Sequence, residues 1–557
     1  MSTLFIIPAR GGSKGIKKKN IRLLAGKPLI YYAIDVAKKI ASQNEVIVTS
    51  DDDEILEIAK LSGVIAYKRP SSLAGDEVPL DPVIIDAYKW YVERYNRPDL
   101  VVTLQPTSPL LSSETLEKAI KYMEQNAYDT VIAVHDATHL YWFKQNGKLS
   151  PLFPERKNRQ WLPKLLKETG AFVISLSSNL DKGIRIGERM GIYEIPEEEA
   201  VDIDSHIDWL VAETLLKRVS MLFVVRAGMD IGLGHLYRSL VLAKEFFGNS
   251  IEFFLLDSDV KVASILENWG YKWYSGNLKE LKERLGDSFR ADVIVNDILD
   301  TSRDYVEYFL EKGIFVVNFE DLGEGAELAH LVFNALYERI DVPDNHKYGY
   351  RYVVLDDKFL IWPPNDFRKK VQTILITFGG VDQNNLTQRV LESIKDLIIE
   401  NSIKVRIVLG LGYKRMDTLG KVIEEIRADG GQVDMYRNVS NMAKIMENVD
   451  LAITSNGRTL YELAAMRVPI ISIAQNDRET LHVFARYNSG VKYLGISCNV
   501  GQEVIRNAVQ SVISDVEYRY NMWKSLPYQD IRLGRDRVRE EILTSYRRWK
   551  LNAYNDW

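Results

Sequence analysis

The chain has 557 residues, too many for a single hydrophobic core, and this length predicts about three to four domains. Its hydrophobic (46%) and charged (27%) fractions are those of an ordinary globular protein, and a net charge of -5 excludes a general attraction to nucleic acid or to an anionic membrane. The single Cys498 excludes an intramolecular disulfide and a multi-cysteine zinc site. No apolar run approaches the roughly 18 residues that span a bilayer. We therefore expect a cytoplasmic protein with no nucleic-acid or membrane partner.

Short apolar strands alternate with amphipathic helical segments along the whole chain. This alternation predicts an α/β fold, with parallel sheets covered by helices on both faces. The strands predicted in the first third are residues 4–8, 45–49, 100–104 and 130–134.

The pattern restarts at Met221, where MLFVVRAGMDIGLGH gives a buried strand, a glycine-rich turn and a helix, so we place a boundary near Ser220. Further strands, predicted at residues 374–377, 405–409, 451–454 and 470–473, follow the pair Pro363 and Pro364. Two similar α/β subdomains with a cleft between them are therefore expected. The predicted domains are residues 1–219, 220–365 and 366–557, and residues 500–557 are expected to form helices that close the last one.

The segment IPARGGSKGIKKKN follows the first predicted strand. Its small residues let the backbone approach an anion, and Arg10, Lys14 and Lys19 could neutralise a triphosphate. The spacing matches neither the Walker A motif nor the dinucleotide-binding fingerprint. Spacing alone leaves two alternatives, a phosphate-binding loop and a solvated basic loop.

Six motifs occur in order over nearly all of residues 1–218: IPARGGSKGIKKKN, VTSDDDEI, KRPSSLAGDEV, LQPTSPL, RQWLPKLLKETGAF and VDIDSHIDW. Together they resemble the cytidylyltransferases that activate sialic acid and related nonulosonic acids as CMP sugars. The resemblance implies a Rossmann-like nucleotidyltransferase domain, a homodimer formed through it, and catalytic roles for Arg10, Lys19 and Asp204. It implies a CTP site formed by Arg10, Gly11, Gly12, Ser13, Lys14, Lys19, Asn20, Arg69 and Asp76. It implies a sugar-acid pocket formed by Gln105, His139, Arg159, Gln160, Thr169, Gly170 and Ala171.

Two positions depart from the pattern of that family. Leu111 stands where the family usually has arginine, and Thr169 stands where it usually has asparagine. These departures leave open whether the acid is sialic, legionaminic, pseudaminic or deaminated.

Asp202 and Asp204 are the predicted metal ligands. Residues two apart on a strand project from one face, and Mg²⁺ prefers a few carboxylates together with phosphate oxygens. A divalent ion there would offset charge at the α-phosphate during transfer. The alternative is an acidic strand end followed by a helix cap. The six motifs favour Mg²⁺ as cofactor, and His206 and Asp208 are predicted to be structural.

A second set of motifs covers residues 221 to about 490: VVRAGMDIGLGHLYRSLVLA, VNFEDLGE, YVVLDDKF, ITFGGVDQNNLT, SNGRTLYELAAMRVP and SIAQND. They resemble the UDP-sugar hydrolases of pseudaminic acid synthesis, relatives of two-subdomain (GT-B) glycosyltransferases. The resemblance implies a double-Rossmann module, a UDP-amino sugar as substrate, and His235 as the general base that activates water without a metal. A helix N-terminus disfavours the imidazolium and keeps the ring basic. The alternative is that His235 caps the helix or bonds the nucleotide.

The UDP-sugar site implied by this resemblance consists of Gly232, Gly234, His235, Gly379, Gly380, Ser455, Gly457, Thr459, Glu462 and Asn476. Glu462 matches the position whose carboxylate accepts the ribose hydroxyls, and Asp297 and Asn334 are weaker pocket candidates. Ser455 and Asn456 replace a usual Gly-Gly, and Asp477 replaces a usual glutamine. Arg458 adds a cation with two readings, a phosphate contact or a solvent-exposed side chain.

The two halves together predict a bifunctional enzyme of nonulosonic acid biosynthesis. The first part is expected to transfer CMP from CTP to a nonulosonic acid, and the second to hydrolyse a UDP-amino sugar. Two alternatives for the second part stay open, a glycosyltransferase and a non-catalytic nucleotide-sugar sensor.

Overall fold

A computed structural model of the chain describes residues 1–12, 15–42, 45–75, 77–228, 233–259, 262–287, 290–339, 341–410, 412–437 and 439–555. The chain divides into two compact units, unit 1 (Met1–Arg218) and unit 2 (Val219–Trp557). None of the helices described has the length and the apolar surface needed to cross a bilayer.

The elements of unit 1 alternate between strands and helices, as the apolar pattern predicts. Its strands are β1 (Thr3–Pro8), β2 (Leu23–Leu24), β3 (Lys27–Pro28), β4 (Val46–Ser50), β5 (Ile65–Lys68), β6 (Leu100–Leu104), β7 (Thr130–Asp136), β8 (Trp142–Gln145), β9 (Lys148–Pro151), β10 (Leu166–Leu176) and β11 (Met190–Glu194). Its helices are α1 (Leu29–Ile40), α2 (Asp53–Leu61), α3 (Leu80–Val92), α4 (Ser113–Asn126), α5 (Ser177–Asp181) and α6 (His206–Leu216).

One sheet of seven strands dominates the described part of unit 1, in the order β11-β7-β10-β6-β1-β4-β5. β10 runs antiparallel to both of its neighbours, and the other pairs are parallel. Apolar side chains on both faces pack under helices, so β4 and β6 are buried along their whole length. The strand order reverses beside β1, and loops at the carboxyl ends of strands around such a point form a crevice that binds ligands.

The first half of unit 2 has the strand order β14-β13-β12-β15-β16-β17-β18 in the described residues, and every pair is parallel. Its strands are β12 (Ser220–Val225), β13 (Ser250–Leu256), β14 (Lys272–Gly276), β15 (Val293–Asp297), β16 (Phe315–Phe319), β17 (Leu331–Asn334) and β18 (His346–Tyr348). Its helices are α7 (Gly234–Lys244), α8 (Ala263–Asn268), α9 (Leu278–Asp287), α10 (Arg303–Glu311) and α11 (Lys358–Ile361). The first six strands follow the Rossmann order.

The second half of unit 2 repeats this order as β21-β20-β19-β22-β23-β24, again wholly parallel where it is described. The strands are β19 (Thr373–Thr377), β20 (Lys404–Leu409), β21 (Gln432–Arg437), β22 (Leu451–Ser455), β23 (Ile470–Ala474) and β24 (Val491–Ile496). The helices are α12 (Leu386–Ser393), α13 (Lys395–Glu400), α14 (Met416–Ala428), α15 (Met442–Met446), α16 (Thr459–Ala465), α17 (Asp477–Thr480), α18 (Phe484–Tyr487), α19 (Gln502–Ser514), α20 (Val516–Ser525), α21 (Tyr528–Arg532) and α22 (Gly534–Asn555).

The predicted α/β fold class, a Rossmann-like unit followed by a double-Rossmann module, is confirmed by these sheets. The prediction that residues 366–557 form one subdomain is wrong at its C-terminal end. Val538, Ile542 and Tyr546 of α22 belong to the hydrophobic core built on β12 and β13. The last helix therefore returns to the first half of unit 2, because its apolar side chains find their partners there.

Candidate active sites

A groove of about 400 Å³ opens in unit 1 beside β1 and β6. The predicted residues that line it are Arg10, Gly12, Lys19, Asn20, Arg69, Gln105, Asp202 and Asp204. These side chains come from five separate segments, most of which follow strands of the central sheet. The groove therefore joins a cationic loop to a pair of carboxylates.

Lys19 connects the basic loop to the acidic segment. Its Nζ donates to the carbonyl oxygen of Ile203 at 2.6 Å and lies 3.3 Å from Oδ1 of Asp204. The backbone N–H of Ile203 donates to the carbonyl of Thr107 at 2.8 Å, which anchors the acidic segment to the loop after β6. A Cβ on Gly15 would lie 2.5 Å from the carbonyl oxygen of Asp204, so only glycine allows this approach.

Asn20 and Arg69 hold the loop that carries Arg10. Asn20 donates from Nδ2 to the carbonyl of Arg10 at 2.9 Å, and Arg69 donates from Nη2 to the carbonyls of Ala9 (2.8 Å) and Thr49. Burial lowers the pKa of Arg69. Gly11 packs against Asp52, where a Cβ would lie 2.4 Å from Oδ2. These contacts fix the shape of the loop at the carboxyl end of β1.

Asp202 and Asp204 lie in an extended segment outside the sheet, so the prediction that a strand carries them is wrong. The main chain there is taken up by the cap of α6, where Ser205 and Asp208 form a capping box. Both carboxylates nevertheless face the groove. The segment fails to pair as a strand because its polar groups bind Lys19, the cap and the Thr107 loop instead.

The electrostatics of Asp202 favour a cation. Oδ1 of Asp202 is buried and has no hydrogen-bond partner among the described residues. Burial raises the pKa of Asp202, the Thr107 hydroxyl lowers it in part, and the negative charge of Asp204 raises it further. In the part of the chain that the structure describes, no group of three or more His, Cys, Asp or Glu side chains is placed to hold a metal ion. These two carboxylates would need phosphate or water oxygens to complete the coordination of Mg²⁺.

The residues predicted for the sugar-acid pocket separate into two places. Gly170 lies against Gln105, since a Cβ there would be 3.2 Å from Cδ of Gln105, and Thr169 and Ala171 share its bulge in β10. The hydroxyl of Thr169 is buried, donates to the carbonyl of Ala133 at 3.4 Å and accepts from the N–H of Ala171 at 3.3 Å. Away from the groove, the structure places His139, Arg159 and Gln160 on the exposed surface.

Ser13, Lys14, Asp76 and Gly232 lie outside the described residues. Leu111, which departs from the family pattern, is buried in the core of unit 1 and does not line the groove.

His235 of unit 2 lies in the first turn of α7 and contacts Asp297 at the end of β15. Nδ1 of His235 is 2.5 Å from Oδ1 of Asp297, whose side chain is completely buried. A carboxylate only accepts hydrogen bonds, so the network assigns the ring hydrogen to Nδ1. With the hydrogen on Nδ1 the lone pair lies on Nε2, and 18% of the side chain is exposed. Nε2 is therefore available as a proton acceptor.

Arg238, one turn after His235, holds Asp297 in place. Its Nε donates to Oδ2 of Asp297 at 2.7 Å, and Nη2 donates to Oδ1 at 2.5 Å. Nη1 donates to Oε1 of Glu320 at 3.0 Å, and burial raises the pKa of Glu320. Burial alone would raise the pKa of Asp297, but Arg238 and then His235 outweigh it and hold that pKa below its ordinary value. Asp297 is thus a permanent anion behind the imidazole.

Two glycine loops meet at the carboxyl ends of β19 and β20 in the other half of unit 2. Gly379 has a φ of +75°, which favours glycine. Gly380 packs so closely against Gly410 that a Cβ on Gly410 would lie 2.4 Å from Cα of Gly380. The N–H of Gly412 donates to the carbonyl of Gly380 at 3.0 Å. The predicted pair of glycines therefore lies at the edge of the sheet where ligands bind.

The carboxylate of Glu479 accepts hydrogen bonds from the main chain of the loop after β22. Oε2 of Glu479 accepts from the N–H of Asn456 at 3.2 Å and from the N–H of Gln475 at 2.7 Å. A Cβ on Gly457 would be 3.7 Å from Oε1 of Glu479, and Ser455 is buried beside it. Burial raises the pKa of Glu479.

Thr459, Glu462 and Asn476 belong to the short helices that follow. Thr459 begins α16, and Glu462 is half-buried one turn later, where burial raises its pKa. Asn476 caps α17 by accepting from the N–H of Glu479 at 3.0 Å. Asn334 is buried and donates to the carbonyl of Asp321 at 3.0 Å, which is a structural contact.

Sequence reasoning missed Arg238, Glu320 and Glu479 and ranked Asp297 too low. Arg238 had a signal, because positions i and i+3 of a helix share a face and His235 is three residues earlier. Asp297 ends β15 and Glu320 follows β16. That these two strands are neighbours becomes known only from the order of the sheet. Glu479 left no signal in its local sequence.

Comparison with known proteins gives matches to unit 1. The family model described as Cytidylyltransferase matches residues 4–152. The N-acylneuraminate cytidylyltransferase A of Danio rerio is 33% identical over 220 residues, which are 38% of this chain and 50% of that protein. The pseudaminic acid cytidylyltransferase of Campylobacter jejuni is 32% identical over 226 residues, which are 39% of this chain and 97% of that protein. The chain thus spans about half the length of the Danio rerio relative and nearly all of the Campylobacter one.

Among solved structures, MurG of Acinetobacter baumannii is similar at a TM-score of 0.43 and 13% identity, and the match covers 59% of this chain and 99% of that one. The strand orders described above define the fold of unit 2 independently of this superposition.

Proposed function

We propose, since the chain belongs to the cytidylyltransferase family, that unit 1 transfers CMP from CTP to a nonulosonic acid and releases pyrophosphate. The observation that carries this proposal is the groove that joins the Arg10 and Lys19 loop to Asp202 and Asp204. The sugar substrates in the names of the two relatives, N-acylneuraminate and pseudaminic acid, belong to this class of acid.

The residues of the groove have different roles in the proposed nucleotidyl transfer. Arg10 and Lys19 neutralise the phosphates of CTP, and a hydroxyl of the sugar acid, held beside Gln105, attacks the α-phosphorus. The new P–O bond forms as the bond to pyrophosphate breaks. The hydroxyl loses its proton to solvent, and pyrophosphate leaves with the electron pair. Lys19, tied to the carbonyl of Ile203, keeps the cationic loop next to the carboxylates.

Mg²⁺ is the proposed cofactor of unit 1. The buried, unpartnered oxygen of Asp202 and the neighbouring carboxylate of Asp204 fit a hard cation that prefers oxygen ligands. When bound, such an ion offsets negative charge on the phosphates.

A panel of nonulosonic acids, assayed with CTP for pyrophosphate release, tests the function of unit 1. Release with at least one acid is expected, and Asp204→Ala should abolish it. The matched control is Glu54→Ala, because Glu54 is an exposed carboxylate that pairs with Lys18, next to Lys19 in the chain, at 2.9 Å. Near-normal release by the Asp204 variant would reject the metal assignment, and no release with any acid would reject the function.

For unit 2 we propose hydrolysis of a UDP-amino sugar to UDP and the free sugar. The supporting observation is the buried Asp297 behind His235. Nε2 of His235 takes a proton from water while the water oxygen bonds to the anomeric carbon, and UDP leaves with the electron pair of the broken C–O bond. The imidazolium formed in this step is stabilised by the fixed anion of Asp297.

UDP release from UDP-amino sugars without an acceptor tests the function of unit 2. Turnover is expected, and His235→Asn should remove most of it while UDP still binds. UDP release that requires an acceptor would favour a glycosyltransferase. Unchanged UDP-sugar binding with no turnover in either protein would favour a nucleotide-sugar sensor.

A homodimer through unit 1 is the proposed assembly. The hairpin of β8 and β9 and its flanks expose a cluster of large apolar side chains: Tyr141, Trp142, Phe143, Leu149, Leu152 and Trp161. Exposed apolar patches of this kind mark association surfaces. Burying this patch against a second copy would also remove the neighbouring His139 and Arg159 from solvent.

A further inference from the structure

Arg458 joins the two halves of unit 2 through main-chain oxygens. It follows β22 at the start of α16, and its guanidinium reaches main-chain oxygens of the other half. Nη1 donates to the carbonyl of Gly234 at 2.9 Å, and Nη2 donates to the carbonyl of Val354 at 3.3 Å. Two neutral oxygens therefore hold a cation between the two halves.

The surroundings of Arg458 penalise its charge. Burial, and next the neighbouring Arg238, lower the pKa of Arg458 to about 10, which still leaves it charged at neutral pH. Arg238, by contrast, forms ion pairs with both Asp297 and Glu320. Among the described residues no carboxylate forms an ion pair with Arg458. The nearby Asp297, Glu462 and Glu320 offset this penalty only in part, so an incoming anion that contacts the half-buried guanidinium would lower the remaining cost.

The donors of Asn456, in the loop just before Arg458, are already engaged. The N–H of Asn456 is taken by Glu479, and Nδ2 of Asn456 donates to the carbonyls of Glu479 (2.6 Å) and His482 (3.1 Å). The carboxylate oxygens of Glu479 accept hydrogen bonds at this loop and so do not attract an anion. An arginine has five N–H donors, and the two carbonyls engage two of them. Arg458 therefore keeps positively charged N–H donors that an anion can use.

We propose that Arg458 binds the diphosphate of the nucleotide sugar, exchanging its two carbonyl contacts for phosphate oxygens. Because the carbonyl it releases belongs to Gly234, next to His235, the diphosphate is held beside the imidazole. This inference rests on the proposed function of unit 2 and names the residue that recognises the charged part of its substrate.

Calorimetric titration of the full chain with UDP and with uridine tests this inference. Arg458→Met should weaken UDP binding by roughly 10- to 150-fold, the loss expected for a charged hydrogen-bonding pair, and leave uridine binding unchanged. Arg458→Lys should recover part of the loss. The change reports on unit 2 alone, because Arg458 lies there.

Arg478→Met is the matched control, because Arg478 also links the two halves but is already neutralised by Asp300 at 3.2 Å. It should bind UDP like the wild type. Equal losses in both variants, or an Arg458→Met protein that binds UDP normally, would overturn the inference. UDP binding that depends on Arg458 in a wild type without hydrolysis would reject the proposed hydrolase and keep the diphosphate contact. A wild type that binds no UDP would reject both.

Discussion

The substitution Asp297→Asn tests the catalytic arrangement proposed for unit 2 most directly, because it keeps the volume of the side chain and removes its charge. Asp297 accepts from His235 at 2.5 Å and from Arg238 at 2.5 and 2.7 Å. A hydrogen bond to a charged group contributes about 1.5–3 kcal/mol. If the contact with His235 acts in the transition state, its loss slows hydrolysis roughly 10- to 150-fold.

Unit 2 should remain folded in this variant. Orphaning a buried charge costs about 3–5 kcal/mol, a large part of a total stability of about 5–15 kcal/mol. Arg238 is not orphaned, because it keeps Glu320 at 3.0 Å, so we expect a smaller loss. The depressed pKa of Asp297 means that its stabilising charge is present above its unfolded value near 4 and is lost only as pH falls through the folded value.

The assay measures UDP release without acceptor and pyrophosphate release from CTP on the same preparation. Pyrophosphate release by unit 1 serves as an internal control for folding and concentration. Asp300→Asn is the matched variant, since Asp300 is a nearby carboxylate that pairs with Arg478 instead of His235. A loss of less than about threefold in a folded Asp297→Asn protein would refute the role given to Asp297.

Three further predictions concern unit 1. Asp202→Asn should abolish pyrophosphate release and should raise the melting temperature of metal-free unit 1, more at pH 8 than at pH 4. The pKa of Asp202 is raised by burial and by Asp204, so the ionised side chain destabilises the fold as pH rises. A lower melting temperature of the variant at pH 8, measured by calorimetry, would contradict this. Gly15→Ala places a Cβ 2.5 Å from the carbonyl of Asp204, and we expect pyrophosphate release to fall about a hundredfold, whereas wild-type kinetics would show that the loop yields without cost. Trp142→Ser combined with Leu149→Ser should give monomers in sedimentation velocity, and a persistent dimer would exclude the hairpin as the interface.

The sequence determined the elements and their order along the chain. Apolar runs bounded by turns predicted β1, β6, β19 and β22 to within about two residues, because a strand that is buried on both faces has consecutive apolar side chains. The restart at Met221 likewise predicted β12 and the helix that carries His235. It also predicted which loops follow those strands, and hence several residues of the groove in unit 1.

Only the tertiary structure decided which of these loops meet. Lys19 and Asp204 are 185 residues apart, His235 and Asp297 are 62 apart, and Arg458 and Gly234 are 224 apart. Propensity and periodicity act over a few residues, whereas such contacts depend on the strand order of each sheet, which is set by packing. Local sequence likewise could not show that the segment of Asp202 lies outside the sheet. Nor could it show that α22, at the end of the chain, packs against the first half of unit 2.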